Sequence, residues 1–127
     1  GFHLRETGAL RIQVDMFTGE RGIRRFLCGM ERGLELAFGE LAAELRDGKY
    51  PFITLESVIP YEEQAAEWGE ADRDRYYNLA ARCDREKMLR RSFAQGCIIE
   101  RDCYLLGQAR YLILAEEGKF KTMVLDR

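Results

Sequence analysis

The stretch IRRFLCGMERGLELAFGELAAEL, residues 23–45, carries the most regular apolar pattern in the chain. Its apolar side chains recur at spacings of three and four residues, which is the period of an amphipathic helix. They are Ile23, Phe26, Leu27, Met30, Leu34, Ala37, Phe38, Leu41 and Leu45. The pattern predicts one long helix that begins after Thr18 and Glu20 and ends near Asp47 and Gly48.

Two of the glycines in this predicted helix weaken it. Gly29 and Gly33 lie four positions apart, so a helix would place them close together on one side. They could form a contact surface for a helix of a partner. Because glycine weakens a helix and needs a packing reason there, close packing against the protein's own sheet is the favoured interpretation.

Two segments around this helix read as strands. Residues 10–16 alternate between apolar and polar side chains, which is typical of a half-buried strand. Residues 52–59, FITLESVI, are rich in strand-forming residues and lie between Pro51 and Pro60. They predict a second strand.

The second half of the chain is harder to interpret. Residues 61–92 have a helical composition but a poor apolar pattern, and Gly69 is expected to break or kink this region. Residues 110–125 predict a hairpin. Residues 97–114 fit a strand, which would complete a three-stranded meander, but they also fit a helix, and both interpretations stay open.

Together these elements predict a single α+β domain over residues 1–127. The expected order is β-α-β-α-β-β-β, with helices packed on one face of a largely antiparallel sheet of about five strands. No repeat and no linker indicates a second domain.

Charge and composition narrow the function classes. The chain has 20 Lys and Arg against 22 Asp and Glu, a net charge of -2, so no overall field favours nucleic acid. The apolar runs are too short for a membrane span, and we expect no membrane partner. Four cysteines without a dense framework predict a reducing, cytoplasmic location.

The cysteines are the first candidates for chemistry. Cys97 and Cys103 would lie about 20 Å apart along a strand or about 9 Å apart along a helix. Neither separation permits a disulfide or a two-ligand metal clamp. The single histidine, His3, is near the terminus. We therefore expect small buried apolar cysteines, with no metal, no cofactor and no catalytic residue.

A weak nuclease pattern is also present. Asp102 followed by Glu117 and Lys119 resembles the Asp…Glu-x-Lys pattern of restriction-type nucleases. The resemblance implies a metal-dependent nuclease as one alternative function. In that family the Glu and Lys lie on a strand, whereas Gly118 falls in a predicted turn here.

Charge also reverses along residues 61–91, which are acidic first and basic later. The candidate contacts for phosphates or an acidic partner are Arg82, Arg85, Arg90 and Arg91. Complementarity with a helix dipole would produce the same pattern and is the simpler interpretation.

The absence of a recognisable site motif favours a non-enzymatic intracellular protein that acts through contacts with a protein partner or by self-association. A regulator, inhibitor or assembly subunit encoded by a phage or mobile element would fit its small size. A nucleic-acid-associated protein that uses the basic patch is the alternative, and the metal-dependent nuclease comes third.

Overall fold

The computed structural model of the protein describes residues 4–116 and 119–125. In chain order its elements are α1 (Leu4–Arg21), β1 (Arg25–Cys28), α2 (Leu34–Asp47), β2 (Thr54–Ile59), α3 (Glu70–Arg82), β3 (Arg85–Met88), α4 (Cys97–Gln108), β4 (Tyr111–Glu116) and β5 (Lys119–Val124). The first three strands form one sheet in the order β1-β2-β3, and β4 and β5 form a separate hairpin.

The α+β prediction is confirmed, but the predicted antiparallel sheet and the predicted element order are wrong. β1, β2 and β3 are all parallel, with Arg25 opposite Thr54 and Glu56 opposite Arg85. Parallel neighbours need a crossover connection, which α2 and α3 supply. The topology escaped sequence analysis because β1 and β3 have only four residues each.

The first predicted strand is part of helix α1. One side of this helix buries Leu10, Val14 and Thr18, which are spaced by four residues, while Ile12 and Met16 on the other side are 62% and 56% exposed. Spacing by four fits the helical period. Because Ile12 and Met16 fall midway between these positions, apolar residues also occur at every second position, which is the pattern of a strand. The helix leaves two large apolar side chains in solvent.

The predicted helix over residues 23–45 is two elements rather than one. β1 occupies residues 25–28, a loop follows, and α2 begins only at Leu34. Gly33 has φ +85 and ψ -123, a conformation that stops a helix and that residues with a Cβ rarely adopt. The predicted end of the helix at Asp47 is confirmed.

A third glycine, Gly39, lets α2 approach its neighbours closely. A Cβ at this position would lie 2.6 Å from Cδ2 of Leu79 on α3 and 2.9 Å from Sγ of Cys28 on β1. Both neighbours are buried. Gly39 thus has the packing role that the sequence had suggested for Gly29 and Gly33.

The strand predicted over residues 52–59 is confirmed as β2, which is the centre of the parallel sheet, and five of its six residues are buried. The charged member of this strand, Glu56, accepts hydrogen bonds from Arg25 of β1 at 3.0 and 3.3 Å. β3 has the opposite character because its first three residues, Arg85, Glu86 and Lys87, are exposed.

In the second half of the chain, the structure decides between the helix and strand interpretations that the sequence left open. Residues 61–92 contain α3, which begins after Gly69 as expected, and also the unpredicted strand β3. Residues 97–108 are helix α4, so the three-stranded meander is wrong, whereas the β4–β5 hairpin is confirmed. Residues 117 and 118 of its predicted loop lie outside the described residues. No helix within the described ranges is long and apolar enough to cross a membrane.

Candidate functional site

Because β1, β2 and β3 are parallel, the segments that follow them lie at the same end of the sheet, where the strands finish. These segments are residues 29–33, 60–64 and 89–91. Ligands of open parallel sheets bind outside the carboxyl ends of the strands. We call residues 29–33, Glu35, Gln64, Arg90, Arg91 and Arg101 the sheet-end site.

The loop after β1 has an unusual backbone. Met30 has φ +62 although it carries a side chain, and that side chain is fully buried. A Cβ at Gly29 would collide with the carboxylate of Glu35. Tertiary contacts therefore fix the path of the loop, and the first turn of α2 lies directly against it.

The start of α2 offers free backbone donors. Gly33 provides no side-chain cap, and the first amides that bond back to the loop are those of Leu36 and Ala37, each at 3.1 Å. Within residues 4–116 and 119–125, the amides of Leu34 and Glu35 have no acceptor. Free amides and the helix dipole make such an end attractive to anions.

Arg101 connects α4 to this loop. Its side chain is 4% exposed, and Nη1 donates a hydrogen bond to the carbonyl oxygen of Gly29 at 3.1 Å. The guanidinium also lies 3.1 Å from Oδ1 of Asp102 and 3.8 Å from Oε2 of Glu31. A buried positive charge thus lies beside the loop, balanced by carboxylates that are more exposed.

Glu35 is the carboxylate most affected by this environment. Burial raises the pKa of Glu35, and the positive charge of Arg101 partly opposes that rise. The sheet-end site therefore combines free amides, a guanidinium and carboxylates. Such a set can bind a ligand that carries an anionic group and also hydroxyl or amino donors.

Gln64 contributes an unsatisfied polar atom next to the loop. Its side chain is buried, and Nε2 donates to the carbonyl oxygen of Met30 at 3.3 Å. Its Oε1 receives no hydrogen bond from the described part of the chain. An unpaired buried acceptor costs about 1–3 kcal/mol, so a ligand donor that reached Oε1 would be favourable.

The structure places the four predicted contact arginines at two ends of β3. Arg82 and Arg85 lie at its amino end, and Arg90 and Arg91 follow its carboxyl end at the sheet-end site. About 16 Å of extended chain separates Arg85 from Arg90. The structure thus brings Arg90 and Arg91 to the sheet-end site and leaves Arg82 and Arg85 at the opposite end of the strands.

These arginines also differ in their ion pairs. Arg82 pairs with Asp47 at 3.0 Å and Arg90 with Glu100 at 3.0 Å. Arg85 and Arg91 have no ion-pair partner among the described residues. The two unpaired arginines form a natural comparison, since they flank the same strand.

The other predicted candidates are dispersed. Asp102 on α4 pairs with Arg101, Lys119 begins β5, and Glu117 lies outside the described residues. The described ranges contain no group of three or more His, Cys, Asp and Glu residues placed to hold a metal ion.

The cysteines have different environments. Cys28 and Cys97 are buried, as expected, and burial raises the pKa of Cys28 to about 12. Cys83 is half-buried, and burial raises the pKa of its thiol as well. The expectation of burial is wrong for Cys103, which is exposed.

Sequence analysis missed Glu31, Glu35 and Arg101 as members of a site. A usable signal was present: the apolar triplet of residues 26–28 is followed directly by Gly29, and Gly33 lies only four residues further on. This is how a buried strand passes through a tight loop into a helix. Assigning the whole stretch to one helix concealed it.

The sequence of this chain is similar to a protein family and to one curated bacterial protein. The model of the YspA SLOG family matches residues 8–123. A UPF0398 protein from Halalkalibacterium halodurans is 32% identical over 65 residues, which are 51% of this chain and 34% of that protein. The alignment thus spans about a third of the relative's length. Because the family model matches most of the residues of this chain, the chain belongs to the YspA SLOG family.

Proposed function

We propose that the protein binds a small ligand carrying a phosphate or carboxylate together with hydroxyl or amino groups, such as a nucleotide or sugar phosphate. The sheet-end site is the proposed binding place. The observation that carries the proposal is the loop 29–33, which leaves two amides free at the start of α2 beside the buried Arg101.

Three independent features support this class of ligand. The free amides of Leu34 and Glu35 and the helix dipole favour an anionic group. Arg91, which has no ion pair in the described ranges, supplies an exposed cation at the same end of the sheet. Glu31 and the unpaired Oε1 of Gln64 accept hydrogen bonds from ligand hydroxyl or amino groups.

The proposed role is regulatory binding in the cytoplasm rather than catalysis. Ligand occupancy would be transmitted to a protein partner, in keeping with the function predicted from the sequence. What supports protein contacts is that several large apolar side chains are exposed: Ile12 of α1 is 62% exposed, Ile99 of α4 is 69% exposed and Phe93 is 66% exposed.

Titration calorimetry with a nucleoside diphosphate and with inorganic phosphate tests the ligand proposal. Arg91→Gln and Arg85→Gln are a matched pair, because both remove an exposed arginine beside β3 but only Arg91 lies at the sheet-end site. We expect Arg91→Gln to weaken binding about tenfold, the effect of losing one charge-assisted hydrogen bond. Arg85→Gln should leave the affinity unchanged.

Two results would contradict the proposal. One is that neither probe binds to the wild-type protein at millimolar concentration. The other is that both substitutions weaken binding equally, which would indicate a general charge effect.

The basic residues also permit contact with nucleic acid or an acidic protein, and Arg82, Arg85, Arg90 and Arg91 remain proposed contacts of that kind. Replacing all four with Gln should weaken partner binding while the melting temperature changes little. Binding to duplex DNA that falls steeply with salt would favour nucleic acid. Capture of a protein partner that is insensitive to salt would favour protein contacts.

A further inference from the structure

The segment that follows β2 contacts the loop after β1 at two places. Gln64 donates to the carbonyl oxygen of Met30 at 3.3 Å, and the guanidinium carbon of Arg32 lies 5.0 Å from the centroid of the Trp68 ring. Gln64 and Trp68 are 5% and 9% exposed, so a buried side chain makes each contact. The loop 29–33 thus rests on a second segment at the same end of the sheet.

Arg32 is an exposed cation without an anionic partner. Its backbone amide donates to Oε1 of Glu31 at 3.1 Å, but its side chain makes no ion pair or hydrogen bond within residues 4–116 and 119–125. An aromatic ring attracts a guanidinium through the face of the ring and leaves the N–H donors of the guanidinium unoccupied. Trp68 therefore holds Arg32 in place without satisfying its hydrogen bonds.

Other groups of the sheet-end site lie close to Arg32 in the loop. The amides of Leu34 and Glu35, which have no acceptor in the described ranges, follow it directly after Gly33. The buried Oε1 of Gln64 receives no hydrogen bond from the described part of the chain, which points independently to a donor supplied by a ligand. To these groups the guanidinium adds a planar fork of donors that matches phosphate or carboxylate.

We propose that Arg32 binds the anionic group of the ligand and that Trp68 positions Arg32 for this contact. The inference rests on the proposed ligand site and names the side chain that holds the ligand there. The guanidinium donates two parallel hydrogen bonds to oxygens of the anion while it stays over the indole. Because the ring already restricts the side chain, less rotamer freedom is lost when the ligand binds.

Arg24 provides a comparison within the same molecule. Its guanidinium carbon lies 4.9 Å from the ring centroid of Phe52, and it likewise pairs with no carboxylate in the described ranges. Arg24 precedes β1 and Arg32 follows it, so the two residues lie at opposite ends of that strand. A general effect of charge should therefore appear at both arginines, and an effect of the site only at Arg32.

Titration calorimetry with inorganic phosphate and with a nucleoside diphosphate measures the contact. We expect Arg32→Gln to weaken binding about tenfold, because a charge-assisted pair of hydrogen bonds is lost. Arg32→Lys should recover only part of the affinity, since an ammonium group keeps the charge but has no planar fork. Arg24→Gln should bind both probes as the wild type does.

Fluorescence gives a second measurement, because Trp68 is the single tryptophan of the chain. An anion bound to Arg32 reduces the electric field of the guanidinium at the indole. The emission of the wild type should therefore shift saturably with added phosphate, with the dissociation constant that calorimetry gives. Arg32→Gln should show no such shift, even at concentrations at which it still binds phosphate.

Two substitutions at Trp68 separate positioning from packing. Both Trp68→Phe and Trp68→Leu remove the indole, but phenylalanine keeps an aromatic face next to Arg32. We expect Trp68→Phe to bind nearly as the wild type does and Trp68→Leu about threefold more weakly. Thermal melts establish that both variants fold. Should Trp68→Leu fail to fold, the emission shift of the wild type tests the same contact.

The outcomes distinguish this inference from the proposed function. Binding that Arg91→Gln weakens and Arg32→Gln leaves unchanged would overturn the role of Arg32 and leave the ligand site standing. Equal losses in Arg32→Gln and Arg24→Gln, or binding without a shift in Trp68 emission, would also overturn it. Equal affinities of the two Trp68 variants would refute the positioning role. If neither probe binds to the wild type, the ligand site and this inference both fail.

Discussion

Arg101 Nη1 donates a hydrogen bond to the carbonyl oxygen of Gly29 at 3.1 Å, joining residues 72 positions apart in the chain. The contact attaches α4 to the loop between β1 and α2. Arg101 is buried, and this carbonyl and the carboxylates of Asp102 and Glu31 lie next to its guanidinium. Arg101 is thus one of the side chains that hold this loop, together with Gln64, which donates to the carbonyl oxygen of Met30.

Arg101→Met should therefore destabilise the protein by about 2–3 kcal/mol, since it removes a buried hydrogen bond made by a charged group. Arg90→Met is the matched control. Its ion pair with Glu100 is close to half exposed on both sides, so the loss should stay below about 1 kcal/mol. Urea unfolding measures both. Equal losses for the two variants would show that Arg101 does not hold the loop.

Glu35 should give the protein a specific pH dependence. Burial raises the pKa of Glu35, so the folded state holds this proton more tightly than the unfolded state does. The resulting stabilisation is fully present below the ordinary pKa of 4.5 and is lost as the pH rises through the raised pKa.

Glu35→Gln removes this titration. The stability of the variant relative to wild type should therefore increase as the pH rises from the ordinary pKa of 4.5 through the raised pKa, as measured by urea unfolding at several pH values. A difference that stays constant over this range would mean that the carboxyl group is as well solvated in the folded state as in the unfolded state.

Gly39 and Gly107 should respond oppositely to alanine. Both lie in helices, where alanine is intrinsically better than glycine, by about 1 kcal/mol in a helix interior such as Gly39 and by less at Gly107, the next-to-last residue of α4. At Gly39 a methyl group would press on Leu79 and Cys28, and overpacking of this kind costs about 1–3 kcal/mol. At Gly107 no atom lies within 4 Å of the added carbon. Thermal melts should show Gly39→Ala below wild type and Gly107→Ala above it.

The cysteines should react at different rates in the native protein. Cys103 is exposed, whereas Cys28 is buried and its pKa of about 12 keeps the thiol protonated. Iodoacetamide should therefore label Cys103 first and leave Cys28 protected, as followed by mass spectrometry. In denaturant all four thiols should react alike. Rapid native labelling of Cys28 would show that the contact between α2 and β1 opens readily.

The sequence was informative where one periodicity stood alone. Residues 54–59 and the β4–β5 hairpin were predictable because their apolar runs are bounded by turn residues. The end of α2 at Asp47 was likewise marked by the following glycine. In each case a local signal agreed with the tertiary structure.

Prediction from the sequence failed where helical and strand periods coincide or where a strand is very short. Residues 10–16 satisfy both helical and strand spacing, and burial of the Leu10 side decides for the helix. β1 continues the helical pattern of α2 by chance, and β3 has one apolar residue, Met88. The position of Arg101 at the site depends on a contact 72 residues away, which no local pattern encodes.

The charged residues of β3 limit how copies of the protein can associate through the parallel sheet. A head-to-tail fibre would require β3 of one molecule to pair with β1 of the next, and repeat without end. The charged residues Arg85, Glu86 and Lys87 oppose that contact at every step. Extension of the parallel sheet from one molecule to the next is therefore disfavoured at the β3 edge.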